Sequence, residues 1–475
     1  MNNTKILITY GPACHTREQL SQLIKAGANA VRYNFSHGSP EDFKSFSAMV
    51  RKISESMNQP IAILGDLQGP KIRCGKLPEA GLTLGAGDRV VLAKKAPRKN
   101  LPWIPFADAH WLKDVKPKQR ILFNDGRIEA AVIKHVPGGL LIEIKYGGLL
   151  HSRKGINFPD SDLKIASLTA QDRQHLECAL KSGVDYLALS FVRNGNDIKT
   201  LRQLIKKLGG ADVPIIAKIE KPEAIQNLRN ILAEADGVMV ARGDLGVEMS
   251  PEAVPLLQKQ IIAQANHAGK LVITATQMLE SMISSSKPTR AEASDVANAI
   301  LDGTDVVMLS GETAQGKFAL EAVTVMKKII EETETHQLVL QEDSSRTFQG
   351  SDDFPSAICR AAVDCSERLN LKNIIVFTAS GATALFASKF RPRVPIVAFT
   401  PNMEVCHRCS LYWGVSGHVM EPVKDTDLLF ARVDKQIAEL TQAKQGDHIA
   451  VIYGSPVRKM GYTNTLKLHI VGSES

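Results

Sequence analysis

Lys218 and Glu220 stand two residues apart in the run Ile215-Ile216-Ala217-Lys218-Ile219-Glu220. On a strand that spacing puts both side chains on one face. A lysine and a glutamate entering one space are costly to desolvate, which argues for a task beyond pairing with each other. Glu220 and Asp244, the latter within Gly243-Asp244-Leu245-Gly246, are hard oxygen ligands. Mg²⁺ commonly takes one or two carboxylates and completes its shell with substrate oxygens and water. Lys218 and Arg32 then supply fixed positive charge for a phosphoryl group in transit. Gly243 allows close approach of a ligand to the backbone, and the free N–H groups of a following helical turn suit a carboxylate, although a turn with no ligand reads the same way. Thr276, between Ala275 and Gln277, is either a substrate contact or a helix N-cap.

These groups follow short apolar runs. The runs are 5–10, 28–34, 61–66, 184–191, 214–219, 237–240, 271–275 and 306–309, with helical patterns such as 17–25, 197–208 and 255–268 between them. Eight near-continuous hydrophobic strands separated by helices predict a parallel (β/α)₈ (TIM) barrel. In that fold functional groups sit at the C-terminal strand ends. Strand 2 would bring Arg32 to Gly38, strand 3 Asp66 and then Arg73, strand 5 Lys218 and Glu220, strand 6 Arg242 to Asp244, strand 7 Thr276 and strand 8 Glu312. So many polar groups delivered to one rim predict a shared pocket.

The third strand lacks an immediate helix, so a segment is inserted there. Residues 71–165 carry strand-like runs at 89–93, 121–123, 128–135 and 140–146, split by turns such as Asn124-Asp125-Gly126. This predicts a small all-β lid that closes over the site and excludes water. The barrel then comprises 1–70 and 166–345. Around 331–353 the chain turns polar and acidic, as a linker would. Residues 346–475 read as a smaller α/β domain with strands at 373–378, 395–400, 448–453 and 466–471.

The 475 residues carry a net charge of +8 dispersed along the chain without a basic arm, which speaks against nucleic-acid binding. No stretch reaches the ~18 apolar residues of a membrane span. The N-terminus reads as a strand rather than a secretory signal, so a cytoplasmic location is expected. Seven scattered cysteines argue against a disulfide framework, and the single Cys406-His407-Arg408-Cys409 pair lacks partners for zinc.

Asn34-Phe35-Ser36-His37-Gly38, Gly69-Pro70-Lys71-Ile72-Arg73, residues 153–157, Lys218-Ile219-Glu220, residues 241–246, 275–282, 288–292 and 309–314 together resemble, in order, the motifs of the pyruvate kinase family. The resemblance implies phosphoryl transfer from phosphoenolpyruvate to ADP, with Mg²⁺ (or Mn²⁺) on Glu220 and Asp244. It implies that Arg32, Gly243, Asp244 and Thr276 contact phosphoenolpyruvate, and that Lys218 stabilises the transferring group and the enolate. The enolate would be protonated through a water linked to Thr276. Asn34, Phe35, Ser36, His37, Arg73 and Lys154 would lie toward the nucleotide. It also implies a homotetramer and an allosteric phosphorylated effector.

Many family members have Glu where this chain has Lys71, and that form accompanies a K⁺ requirement. The other K⁺ positions, Asn34, Ser36, Asp66 and the Leu67 carbonyl, are present. The expectation is that the Lys71 ammonium replaces the monovalent ion. Thr378-Ala379-Ser380-Gly381-Ala382-Thr383 follows a strand and opens a helix, either as a phosphate nest for the effector, implied at Thr378, Ser380, Gly381 and Thr383, or as a plain cap. Rival readings are a barrel lyase or aldolase acting on pyruvate-like enolates, a metabolite sensor and a nucleic-acid binder. The insert with Lys154 and Arg73 speaks against the lyase, and intact Lys218, Glu220 and Asp244 against the sensor.

Overall fold

The computed structural model describes residues 2–97, 101–161, 163, 165–210, 212–340, 350, 353–455 and 462–473. Eight strands, β1 (Lys5–Thr9), β2 (Ala30–Asn34), β3 (Ala62–Leu67), β4 (Tyr186–Leu189), β5 (Ile215–Ile219), β6 (Gly237–Ala241), β7 (Leu271–Ala275) and β8 (Val306–Leu309), close into a parallel barrel in chain order. Both strand faces are buried. In β1, Ile6 and Ile8 pack outward against the helices, whereas Leu7 joins an inner cluster with Leu64, Tyr186, Ile216 and Met308. Helices start where short polar side chains cap them: Thr16, Ser39, Thr169, Asn194 and Thr289 each form a capping box with the third helical residue.

The insert leaves after β3. Its six-stranded sheet runs 156–157, 120–123, 128–136, 139–146, 89–93, 103–105 in spatial order, beside a two-stranded ribbon of 82–84 and 148–150. It has its own core, including Leu92, Phe106, Ile121, Phe123 and Ile142. The only helical piece described within it is the 3₁₀ segment Ala109–Asp114.

The acidic stretch expected to be a linker begins differently. Helix Ala319–Leu340 runs into it, and residues 341–349, 351 and 352 lie outside the described residues. The acidic residues are tolerated because one is used: Glu334 accepts the N–H groups of Asn3 at 3.0 Å and Thr4 at 2.6 Å, fastening the N-terminus.

Beyond it, β9 (Ile374–Phe377), β10 (Ile396–Thr400), β11 (Val415–Val419), β12 (His448–Tyr453) and β13 (Thr465–Ile470) form a sheet in the order β11-β10-β9-β12-β13, with β13 antiparallel. Strand β11 was not foreseen, since Val-Ser-Gly-His-Val lacks a continuous apolar run. This domain packs on the N-terminal end of the barrel, opposite the strand ends that carry the polar groups. Lys5 Nζ donates to the Val415 carbonyl at 3.0 Å, and Tyr186 Oη to the Arg408 carbonyl at 2.8 Å. The barrel's inner cluster continues into this domain through Ala362, Ile374, Ala384 and Leu411. Cys406 and Cys409 are buried on helix Met403–Cys409, and burial pushes the Cys406 thiol up to about 11, leaving ordinary protonated thiols.

Candidate active site

The side chains of Lys218 and Glu220 enter the barrel mouth together at the end of β5. Lys218 Nζ lies 2.9 Å from Glu220 Oε1, a buried ion pair. It donates to Ser190 Oγ at 2.8 Å and stands 3.4 Å from Asp66 Oδ1. Burial alone would lower the lysine's pKa, but the Asp66 and Glu220 carboxylates more than reverse this and hold it above the ordinary value. The two carboxylates thus favour the charged ammonium of Lys218. Glu220 is pushed up by burial, and although Lys218 opposes this, the neighbouring Asp244 carboxylate adds to it. Glu220 Oε2 accepts the Phe191 N–H at 2.8 Å, a donor aimed by the positive φ of Phe191, 55°.

Asp244 lies in the first turn of helix Arg242–Glu248, which follows β6, the neighbour of β5. Among the described residues it makes no ion pair. Glu220 Oε1 is fully buried with only the Lys218 ammonium beside it, and a second carboxylate stands close enough to disfavour its ionisation. Two hard-oxygen groups held together at the cost of mutual repulsion fit one divalent cation. No third carboxylate, histidine or cysteine joins them among the described residues, so substrate and water oxygens would complete the shell.

Arg32, midway along β2, donates to Asp66 Oδ2 through Nε at 2.8 Å and to Thr9 Oγ1 through Nη1 at 3.2 Å. Asp66 is buried and its pKa is lowered: burial opposes ionisation, but Lys218 and Arg32 outweigh it. Ser190 Oγ donates to the Leu67 carbonyl at 2.8 Å, tying β4 to β3 beside the lysine. Ser190 and Thr9 were missed from sequence. Ser190 carried a signal, as the first polar residue after Leu187-Ala188-Leu189 at a barrel strand's C-terminal end.

Thr276 is not a helix N-cap. It sits at φ 66°, followed by Gln277 at 54°, a strained turn of the kind that persists where surrounding structure holds it. Its Oγ1 accepts the Gly243 N–H at 2.8 Å, so that N–H is engaged rather than free, and donates to the Ala275 carbonyl at 2.6 Å. Two rim groups are held by neighbouring loops. Arg242 pairs with Asp295 at 2.6 Å and donates to the Thr276 carbonyl at 2.8 Å. Glu312 is completely buried and accepts the N–H groups of Leu279 at 3.0 Å and Ser310 at 2.7 Å, bracing the loops after β7 and β8.

At the other side of the mouth, Asn34 Oδ1 accepts the Ser36 N–H at 3.0 Å. His37 is exposed, and its pKa is lowered by partial burial and by the nearby charges of Lys71, Arg73 and Arg32. These groups form a cationic rim. Phe35 departs from expectation: its ring is 1% exposed and stacks on His175 at 4.8 Å, so the side chain belongs to the core. Arg73 and Lys154 lie on the two facing segments of the insert's stem, where Arg73 and Gly155 form an isolated bridge and Arg73 donates to the Arg153 carbonyl at 2.9 Å. The insert overhangs the barrel. A cleft of about 520 Å³ is walled by Arg120, Asp125 and Glu129 on one side and by Gly243, Gly246 and Gln277 on the other.

In the C-terminal domain a cavity of about 200 Å³ is lined by Thr378, Ser380 and Thr383 together with Phe377, Phe399 and Tyr453. The Gly381 N–H donates to Thr378 Oγ1 at 2.9 Å, and the Ala382 N–H to Ser380 Oγ at 3.4 Å, with Gly381 in the left-handed region at φ 90°. The loop thus caps its own helix and also lines a cavity.

Residues 1–323 match the pyruvate kinase barrel domain and residues 356–469 the pyruvate kinase alpha/beta domain. The chain is 44% identical to pyruvate kinase 2 of Synechocystis sp., over 98% of this chain and 79% of that protein. It is 40% identical to a pyruvate kinase of Agrobacterium vitis, over 98% of this chain and 96% of the other. A crystal structure of a pyruvate kinase from Cryptosporidium parvum superposes with a TM-score of 0.92 at 34% identity, covering 99% of this chain and 96% of that one.

Proposed function

Since the chain belongs to the pyruvate kinase family and is thus a phosphotransferase, we propose that it moves the phosphoryl group of phosphoenolpyruvate onto ADP, giving pyruvate and ATP, the last step of glycolysis. The observation that carries this reading is the buried Lys218 ammonium wedged between the carboxylates of Asp66 and Glu220, beside Asp244.

Glu220 and Asp244 would hold Mg²⁺ or Mn²⁺. When bound, the ion neutralises charge developing on the enolate and phosphoryl oxygens. Lys218 faces the group in transit and stabilises it without any proton transfer, since its ammonium is held charged. Arg32, oriented by Asp66 and Thr9, binds the phosphate of phosphoenolpyruvate. Gly243 and Thr276 bind its carboxylate end, and Thr276 positions the water that protonates the enolate. The rim of His37, Arg73 and Lys154, with Asn34 and Ser36, takes the nucleotide phosphates, and closure of the insert excludes water from the transfer.

Lys71 supplies the positive charge that K⁺ would otherwise provide. Its exposed ammonium stands near His37 and lines a cavity with Asp125, Phe191 and Asp244. The Leu67 carbonyl and the Asp66 carboxylate are already engaged by Ser190, Arg32 and Lys218. The cavity at Thr378, Ser380, Gly381 and Thr383 takes a phosphorylated effector that activates the enzyme, and the functional assembly is a cytoplasmic homotetramer. No described helix is long and apolar enough to cross a membrane.

The test is pyruvate formation from phosphoenolpyruvate, ADP and Mg²⁺. Activity that needs all three supports the reading. Absence of product with each of them present removes it.

A further inference from the structure

Glu248 is the last residue of the helix that begins at Arg242 and carries Asp244 in its first turn. Glu248 is 2% exposed. Oε1 accepts Lys221 Nζ at 2.5 Å and Asn157 Nδ2 at 2.7 Å, and Oε2 is buried with no hydrogen-bond partner. Lys221 directly follows Glu220. Asn157 belongs to the short strand Ile156–Asn157 of the insert, three residues beyond Lys154. One carboxylate therefore joins the helix of Asp244, the loop of Glu220 and the stem of the overhanging insert.

A buried carboxylate without enough partners is costly, and the unfilled Oε2 shows that packing alone has not been optimised here. We infer that Glu248 is a positioning residue, which sets the spacing of Glu220 and Asp244 through Lys221 and transmits the seating of the insert to that pair through Asn157. Glu248 acts on the site through Lys221 and Asn157. The two metal carboxylates repel each other when the ion is absent, so their loops need an external brace to stay poised. A salt bridge to the residue next to Glu220, from the helix that holds Asp244, is such a brace. The hydrogen bond from Asn157 makes the brace depend on where the insert sits, so divalent-ion affinity is linked to lid position.

This rests on the assignment of Glu220 and Asp244 as the ion's ligands, and the experiment separates the two. Free Mn²⁺ is counted by electron paramagnetic resonance against wild type, Glu220→Gln, Glu248→Gln and Asn157→Ala, without substrates, alongside thermal melting. The expected result is wild-type binding that is abolished in Glu220→Gln, weakened about tenfold in Glu248→Gln and about threefold in Asn157→Ala, with melting midpoints that stay close to wild type in Asn157→Ala. Unchanged Mn²⁺ affinity in Glu248→Gln and Asn157→Ala, with Glu220→Gln defective, overturns the brace and leaves the ligand assignment standing. Binding that survives in Glu220→Gln overturns both. Should Glu248→Gln fail to fold, Asn157→Ala decides: a weakened ion with an intact melting curve upholds the linkage, and an unweakened one sinks it.

Discussion

Arg32 and Asp66, brought together from the neighbouring strands β2 and β3, meet with Nε at 2.8 Å and Nη2 at 2.6 Å from the same oxygen, Oδ2. The other oxygen of Asp66 is turned to Lys218. A single buried carboxylate thus holds apart and orients the two cations expected to handle the phosphoryl group. Replacing Asp66 with Asn leaves the guanidinium and the ammonium without their shared counter-charge. Removing one partner of a buried ion pair costs about 3–5 kcal/mol. Lys218 keeps Glu220, so the lower end of that range is expected, together with weaker binding of phosphoenolpyruvate. Urea denaturation and steady-state kinetics check both, and an unaltered unfolding midpoint would show that Asp66 does not bear this charge.

Lys218→Met tests the transfer step. The substitution keeps much of the side chain's length and removes only the charge aimed at the group in transit. Losing one preorganised electrostatic contact of this type lowers kcat by about 10²–10³-fold. The fall should appear in kcat more than in KM, because the ammonium acts most strongly as charge develops. A variant that retains wild-type kcat would mean that another group stabilises the phosphoryl oxygens.

Much of this architecture was written in hydrophobic periodicity. Strands buried on both faces, such as Leu271–Ala275, need continuous apolar runs, and the helices between them start at capping boxes visible in sequence. Strand Val415–Val419 escaped notice because its Gly417 sits tight against Cys406 and Cys409, a constraint set by tertiary packing rather than local pattern. At the site, strand spacing placed Lys218 with Glu220, but it could not say which rim groups face inward. Arg242 and Glu312 sit at strand ends like the others, and only the fold shows them bracing loops. Phe35 lies among polar residues in sequence, yet alternation along the strand end sends its ring into the core. The positive φ of Phe191 and Thr276 left no trace in residue type at all.

Lys71 makes the ion requirement testable. A unit charge at an assumed ~5 Å from the phosphoryl group is worth roughly 3 kcal/mol at an effective dielectric near 20, or about two orders of magnitude in rate. That is enough to stand in for a bound monovalent ion. Wild-type activity should rise less than about tenfold when K⁺ is added to a K⁺-free assay, whereas Lys71→Glu should become K⁺-dependent. A large K⁺ response in the wild type would show that the ammonium does not replace the ion.

Ser380 probes the proposed effector cavity. Its hydroxyl accepts the Ala382 N–H at the start of helix Ala382–Lys389, and the residue lines the cavity with Thr378 and Thr383. Ser380→Glu puts a negative charge where a phosphate would sit. Activation by fructose 1,6-bisphosphate or AMP, measured at low phosphoenolpyruvate, should be lost while basal turnover persists. Activation unchanged in the variant would move the effector elsewhere, and no activation of the wild type by either compound would count against both as effectors.

The junction between barrel and C-terminal domain carries a pH dependence of its own. Lys389 Nζ lies 2.5 Å from Asp305 Oδ2 with both side chains fully buried, and Lys5 is buried nearby with Nζ on the Val415 carbonyl. Burial pulls Lys389 down to about 8, opposed by Asp305 and reinforced by Arg391. It pulls Lys5 down to about 8 as well, opposed by Glu334. An unfolded lysine keeps its proton to about 10.4. Between these values the unfolded chain binds more protons than the folded one, so stability rises with pH from about 8 toward about 10, by up to ~1.4 kcal/mol per pH unit for each lysine. Below about 8 both states are protonated and this contribution is flat. Urea midpoints at pH 7.5 and pH 9.5 should therefore rise more in the wild type than in a Lys5→Met, Lys389→Met double variant, where neither group titrates. Equal responses in the two proteins would show that these lysines keep their protons in the folded state across that range.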